Sequence, residues 1–304
     1  MSAIITKTIV GPQVSPGSPR VSVVIPAYNV AEFIAETLGS VFAQTFTDLE
    51  TIVVNDGSPD TPDFLNQLQP FADRIIYIEQ ESAGAGAARN TAIEHARGDL
   101  IAFLDGDDIW LPEYLASQVA FLDSGYDMVY SDAFQFGMVP DDVGTFMQTA
   151  PSAGKVTAAS ILDYSCNVIT SGTVATKTSL ERAGMFEHER TRAHDFHLWV
   201  RMAKSGATIG YQRKPLLKYR VHLASLSGHS VSRVEREIAV MNRVLRTIEL
   251  TPNETAIVER KLAVLGADLQ VENGKAFLLA EDFPNAYRAF AEATEAFRYG
   301  QARY

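Results

Sequence analysis

Cysteine is almost absent: Cys166 is the single one among 304 residues. One cysteine cannot form an intrachain bridge, so the fold must rest on its core, as expected in a reducing compartment such as the cytoplasm. Long apolar runs are lacking as well, and none approaches the ~20 residues of a membrane-spanning helix. The N-terminus shows no apolar segment leading to a cleavage site; Gly11 to Arg20 is a stretch of Pro, Gly and Ser. Positive charge is also in short supply. Lys and Arg number 26 against 37 Asp and Glu, a net charge of −11, which argues against a nucleic-acid surface, since that would need clustered cations. An acidic chain that handles a phosphorylated ligand must neutralise it locally, with a metal ion or a placed Arg. What is present in quantity is core material: 46% of the residues are hydrophobic, enough at this length for one large domain or two.

The stretch Leu-Ile-Ala-Phe-Leu-Asp-Gly-Asp-Asp-Ile-Trp-Leu (100–111) concentrates the chemistry. Its first five residues read as a strand buried on both faces. Asp105, Asp107 and Asp108 then fall within four residues. Carboxylates that crowded repel one another, and each is costly to bury unpaired. A divalent ion relieves both problems, and Mg²⁺ or Mn²⁺ suits oxygen ligands of this kind. Mg²⁺ commonly takes one or two protein carboxylates and fills its shell with water and substrate phosphates. In open α/β sheets ligands bind beyond the carboxyl ends of the strands, where these acids belong. The stretch is read as a metal-diphosphate site rather than a solvated Asp-Gly turn.

Around it, short apolar runs alternate with helical stripes. Val21 to Ile25, Thr51 to Val54, Ile75 to Ile78 and Met128 to Tyr130 read as further strands, with helices over 31–45, 61–71, 83–96 and after Pro112. Such alternation predicts an α/β fold, a mostly parallel sheet flanked by helices. Residues 133–154 read as a long loop or hairpin, 156–164 and 179–183 as short helices, and 207–211 and 216–221 as two strands. A stronger helix begins at Asp195, with Phe196, Trp199, Met202 and Ala203 on one side. From Val231 onward the chain reads as helical. Its last segment is a hairpin striped by Val258, Leu262, Leu265 and Leu269 and then by Ala286, Phe290, Ala293 and Phe297, with Pro284 in the first turn of the second helix. A single helical hairpin cannot bury its own apolar face. It is expected to pack on the main domain or on a protein partner.

Four stretches occur in order: Val-Ser-Val-Val-Ile-Pro-Ala-Tyr-Asn (21–29), Val-Val-Asn-Asp-Gly-Ser (53–58), Gly-Ala-Gly-Ala-Ala-Arg-Asn (84–90) and Phe-Leu-Asp-Gly-Asp-Asp (103–108). His-Asp-Phe-His-Leu-Trp (194–199) and Tyr-Arg-Val-His-Leu-Ala-Ser-Leu-Ser (219–227) follow. Together they resemble the family 2 glycosyltransferases of the GT-A fold, over roughly residues 20–228, and several motifs in sequence are far more specific than any one alone. The resemblance implies a GT-A domain at 21–228, with a nucleotide-binding half at 21–132 and an acceptor half at 133–228. A flexible tail at 1–20 precedes it, and a helical extension at 229–304 follows.

The resemblance also assigns roles. Asp56 would read the nucleotide base, commonly uracil, beside a wall of Pro26, Ala27 and Tyr28; as residues alone, Asp56-Gly57 is equally a turn. Arg89, near the start of a helix behind Gly84 and Gly86, would lie beside the nucleotide, where a helix N-terminus and a guanidinium both attract diphosphate. Asp105 would meet the ribose, Asp107 would bind the metal, and His222 would add a ligand through Tyr-Arg-x-His, although a lone His after a strand is more often structural. Asp195 would be the general base, helped by a helix N-terminus that favours the ionised carboxylate; the rival reading of the residue is a helix N-cap, with the base then lying elsewhere, at His194 or His197. His194 itself departs from the family, which more often carries an acid there.

The activity implied is a metal-dependent, inverting transfer of a sugar from a nucleoside-diphosphate sugar, UDP-linked above all, to the hydroxyl of a glycan, lipid-linked saccharide or other acceptor. A lipid-linked acceptor would bring the enzyme to the cytoplasmic face of a membrane. Processive members of the family carry membrane helices and a Gln-x-x-Arg-Trp motif, and this sequence has neither, so single additions are expected. Two other classes stay open. A sugar nucleotidyltransferase would carry a Gly-rich loop directly after the first strand, where Pro26-Ala27-Tyr28 stands instead. A non-catalytic nucleotide-sugar-binding scaffold would bind donor without turnover. Gly84 and Gly86 do not make a dinucleotide loop, which belongs after strand one.

Overall fold

The computed structural model describes residues 3–140, 143–187, 194–222 and 230–301. In chain order the first half runs β1 (Ile5–Val10), β2 (Val21–Ala27), α1 (Ile34–Phe42), β3 (Leu49–Asp56), α2 (Thr61–Leu68), β4 (Ile76–Gln80), α3 (Ala85–His95), β5 (Leu100–Phe103) and β6 (Ile109–Trp110). The second half continues with α4 (Tyr114–Leu122), β7 (Met128–Gly137), α5 (Phe146–Thr149), α6 (Ala158–Leu162), β8 (Thr173–Thr176), α7 (Lys177–Arg182), α8 (His194–Lys204) and β9 (Ile209–Val221). Three helices close the chain: α9 (Ser230–Thr247), α10 (Pro252–Leu279) and α11 (Phe283–Gln301).

The strands form one sheet in the order β1-β4-β3-β2-β5-β8-β7-β9-β6. β4, β3, β2 and β5 are mutually parallel, and β8 enters antiparallel between β5 and β7. Because β7 is antiparallel to β8 and parallel to β9, both return to the direction of β5. The α/β expectation of a mostly parallel sheet flanked by helices is met. Val21, Val23, Val24, Ile25, Ile52, Val53, Val54 and Leu100 to Leu104 are all buried, as continuous apolar strands covered on both faces must be. Directionality fixes where chemistry can gather. The carboxyl ends of β2, β3, β4, β5 and β9, and the segment leading into β8, all lie along one edge of the sheet.

Three boundaries differ from the expectations above. Residues 1–20 are not wholly a tail: β1 pairs antiparallel with β4 and forms the sheet margin. Its side chains are all exposed, so no inward stripe marks it in the sequence, and an edge strand offers backbone groups for pairing regardless of side chain. The two strands expected at 207–211 and 216–221 are one strand, β9, whose register against β7 jumps between Ser131↔Gln212 and Asp132↔Pro215. A bulge there absorbs the polar residues and tolerates a proline that a regular ladder would not. The loop expected from residue 133 begins later, because Ala133 to Gly137 pair with Leu217 to Val221 and extend β7.

The C-terminal helices join the main core. Val234, Met241 and Val244 of α9 and Val258 and Leu265 of α10 belong to the same buried cluster as the sheet. Thr251 opens α10 with a capping box closed by Glu254, satisfying free N–H groups of the first turn. The Glu254 carboxylate also pairs with Lys204 of α8 at 2.7 Å. α11 folds back on α10, and Gly274 permits it: a Cβ there would lie 2.7 Å from the Phe290 ring. Among the described residues no helix is long and apolar enough to cross a membrane.

Candidate active site

The acidic loop follows β5, the central parallel strand, and closes on itself where the Asp108 N–H donates to the Asp105 carbonyl at 3.1 Å. Each carboxylate has a different environment. Asp105 is paired with the buried Arg89 guanidinium, and its N–H donates to the Ser171 hydroxyl at 3.1 Å. Asp107 lies 3.0 Å from Nε2 of His222, which arrives at the end of β9. Asp108 is buried, and its Oδ1 accepts the Arg220 N–H at 2.8 Å. Burial and the charge of Asp105 raise the Asp107 pKa above the ordinary carboxylate value, against the pull of His222. Asp108 is pushed up further, by burial first and then by Asp107 and Asp105, with the Ser171 hydroxyl and the Arg220 N–H opposing.

This donor set fits a divalent ion of the Mg²⁺ or Mn²⁺ kind. The pair Asp107–His222 could supply two ligands, and the crowded carboxylates carry repulsion that a cation would relieve. Among the described residues no group of three or more His, Cys, Asp or Glu is assembled as a closed metal cage. An ion held here would therefore complete its shell with water and substrate oxygens, as Mg²⁺ usually does.

At the end of β3, Asp56 is almost fully spent on the protein. Its Oδ1 accepts from Gln80 Nε2 at 2.7 Å and the Ala83 N–H at 2.8 Å, and its Oδ2 accepts the Gly84 N–H at 2.8 Å. Gln80 is in turn fixed by the Thr91 hydroxyl, 2.6 Å away. An ionised carboxylate offers about four lone-pair positions, so about one is left for a ligand. Gly57, at φ 63°, turns the chain so closely over Ser82 that a Cβ would stand 2.8 Å from its backbone nitrogen. Of the expected wall, Tyr28 is exposed and Pro26 half-buried, but Ala27 belongs to the core. Only the first two can present surface to a base. Arg89 lies one turn into α3 rather than at its free N–H groups, with its guanidinium turned to Asp105 and 5.5 Å from the Phe186 ring.

Asp195 occupies the first turn of α8. Its Oδ2 accepts the Thr170 hydroxyl at 2.8 Å, and its Oδ1 accepts the Phe196 N–H at 2.8 Å. Thr170 and Ser171 form the short turn leading into β8, so two adjacent residues bind both parts of the site. One holds Asp195 and the other holds the start of the acidic loop. Neither had been singled out in the sequence, where Ile-Thr-Ser-Gly carries no chemical signature. Arg220, also missed, was more accessible to inference: it stands two residues before His222 on a strand, hence on the same face.

His197 is excluded as a substitute base. It is fully buried beneath α8, its ring nitrogens 2.8 Å from the Thr247 hydroxyl and 3.3 Å from the Glu187 carboxylate. The side chain of His194 lies outside the described residues.

Residues 22–178 match the family model described as glycosyl transferase family 2. TuaG of Bacillus subtilis (strain 168), named as a glycosyltransferase of teichuronic acid biosynthesis, is 34% identical over 221 residues, covering 69% of this chain and 82% of that protein. The Escherichia coli UDP-Glc:alpha-D-GlcNAc-diphosphoundecaprenol beta-1,3-glucosyltransferase WfaP is 28% identical, over 74% of this chain and 86% of its own. Among solved structures, the Pyrobaculum calidifontis mannosyltransferase PcManGT, in complex with GDP-Man and Mn²⁺, superposes with a TM-score of 0.63 at 23% identity, covering 95% of this chain and 82% of that one. That last likeness is one of fold. With more than half of its length under the family model and named glycosyltransferases among its relatives, this chain belongs to glycosyl transferase family 2 and is a glycosyltransferase.

Proposed function

We propose that the protein transfers one sugar at a time from a nucleoside-diphosphate sugar, UDP-linked by preference, to an acceptor hydroxyl, with inversion and with a bound Mn²⁺ or Mg²⁺. The observation that carries this reading is the meeting, on one sheet edge, of the Asp107–His222 pair and the Asp195 carboxylate, joined through Thr170 and Ser171. The UDP-Glc donor in the name of WfaP supports the choice of nucleotide, and the Mn²⁺ in the PcManGT complex supports the metal.

Asp107 and His222 would hold the ion. When bound it neutralises the diphosphate and the charge that develops as the nucleotide leaves. The protein's own residues do the rest. Arg89 holds Asp105 in place for the ribose, while Tyr28 and Pro26 flank the base. Asp56 organises the turn beneath the base through its bonds to Gln80, Ala83 and Gly84, and reads the base with its remaining lone pair. The Thr170 hydroxyl and the Phe196 N–H hold Asp195, which accepts the proton of the acceptor hydroxyl as that oxygen attacks the anomeric carbon from the face opposite the departing nucleotide.

Titration calorimetry tests the reading. UDP should bind in excess Mn²⁺ and lose most of its affinity in EDTA, because Asp105, Asp107 and Asp108 otherwise face a diphosphate of the same sign. Equal affinity under both conditions would remove the metal. GDP binding as tightly as UDP would remove the uracil preference.

A further inference from the structure

Arg220 makes contacts that neither the metal reading nor the proton transfer uses. It lies on β9, two residues before His222, with its side chain mostly buried. Its Nε donates to the Asp107 carbonyl at 2.7 Å, and its own N–H donates to Asp108 Oδ1 at 2.8 Å. Its guanidinium carbon sits 4.7 Å from the centre of the Phe33 ring and 4.4 Å from that of Phe136. Its Nη2 pairs with Glu36 on α1. Phe33 also lies against the imidazole of His222, centre to centre 4.9 Å. One residue thus ties the acidic loop to α1, β7 and β9, and shares an aromatic wall with the histidine that meets Asp107.

The acidic loop needs such a restraint. Asp105, Asp107 and Asp108 repel one another, and burial raises the cost for the last two. Left to itself, a Gly-containing turn of this charge would splay toward water and turn the Asp107 carboxylate away from His222. A guanidinium packed between aromatic rings is a rigid fork, and its donors leave in fixed directions. Lysine, a point charge on a flexible stem, would keep the charge and the backbone N–H bonded to Asp108, but could not hold the Asp107 carbonyl and the Glu36 carboxylate together.

We propose that Arg220 is the positioning residue of the acidic loop, the clamp that holds Asp107 and Asp108 in the arrangement that receives the divalent ion. The ion itself rests on the function proposed above; the clamp is a property of the metal-free protein and can be read there. In the full-length protein with EDTA, the amide hydrogens of Asp105 and Asp108, bonded to Ser171 and to the Asp105 carbonyl, should exchange about tenfold faster in Arg220→Lys than in wild type. Amides of β3 should be unchanged. Phe136→Leu, which removes one aromatic wall and leaves the guanidinium, should give a smaller acceleration at the same two amides and serves if the lysine variant does not fold. Mn²⁺ affinity, read from the free-ion electron paramagnetic resonance signal with UDP present, should fall by roughly 10- to 100-fold in Arg220→Lys, the usual range for loss of a group that orients metal ligands. Exchange at Asp105 and Asp108 that stays at the wild-type rate in both variants would overturn the clamp. Faster exchange in variants of a protein whose wild type binds no Mn²⁺ would uphold the clamp and remove the metal instead.

Discussion

Asp107 and Asp195 belong to two parts of the same site, and they are held in opposite ways. Asp107 stands among like charges: burial and Asp105 work against its ionised form, and His222 and a backbone hydrogen bond offset them in part. Asp195 stands in the first turn of an 11-residue helix, where the Thr170 hydroxyl and the Phe196 N–H fix the direction of its carboxylate. The difference matches the work proposed for each. A metal ligand profits from unrelieved negative charge, because an arriving cation relieves it. A general base must already be ionised and aimed before the acceptor comes. The first group is therefore restrained by hydrogen bonds from Arg220 and His222 at the end of a strand, and the second by the end of a helix.

The contrast can be broken most sharply at Asp195. Asparagine caps a helix about as well as aspartate and keeps an oxygen for the Thr170 hydroxyl, but it cannot take a proton. Asp195→Asn should lower kcat by roughly 10² to 10⁴, while thermal unfolding and UDP affinity stay near wild type. Turnover that survives would make Asp195 a cap alone and place the base elsewhere.

A smaller effect is expected one bond further out. Thr170→Val preserves the shape and removes the donor on Asp195 Oδ2. Losing one such hydrogen bond corresponds to up to about tenfold, and it should fall on kcat rather than on the KM for donor. A loss in donor KM with kcat intact would assign Thr170 to the nucleotide side and weaken the division between the two carboxylates.

The smallest effect is a shift in a pH profile. Protons compete with a cation for Asp107 and Asp108, and both hold their protons more tightly than an ordinary carboxylate of pKa 3.8. Mn²⁺ affinity should therefore weaken as the pH falls, beginning at a higher pH than free carboxylates would give. In Asp108→Asn one repelling charge is gone, so the onset should move to lower pH. An onset near 3.8 in wild type would mean that the loop is not under the strain described here.

The parallel half of the fold was legible residue by residue. Val21 to Ile25 and Thr51 to Val54 are buried runs that no solvated strand would carry, and each ends in turn chemistry at its carboxyl end. The acidic loop was legible for the same reason, since three carboxylates flush against a buried strand need an explanation. β1 was not, because its pairing uses backbone groups and leaves every side chain outside. The continuity of β9 was hidden by Pro215, which only the bulge against β7 makes acceptable. Asp56 shows the limit within the site: the residue was found, but the three donors around it come from Gln80, Ala83 and Gly84, across a strand pairing that no local pattern announces.

By itself the sequence determined the alternation of strands and helices, the loop after β5 and the start of α8, because burial on both faces, helical periodicity and capping are properties of neighbouring residues. Tertiary structure alone decided which groups meet. His222 reaches Asp107 across 115 residues, Thr170 reaches Asp195 across 25, and Arg220 reaches Asp108 across 112. His197, two residues from Asp195, is turned into the core instead. Such meetings follow from strand order, strand direction and register, which bring distant residues to one sheet edge. A pairwise hydrogen bond is strong only at that short range, so the chemistry of the site exists only once the whole sheet is assembled.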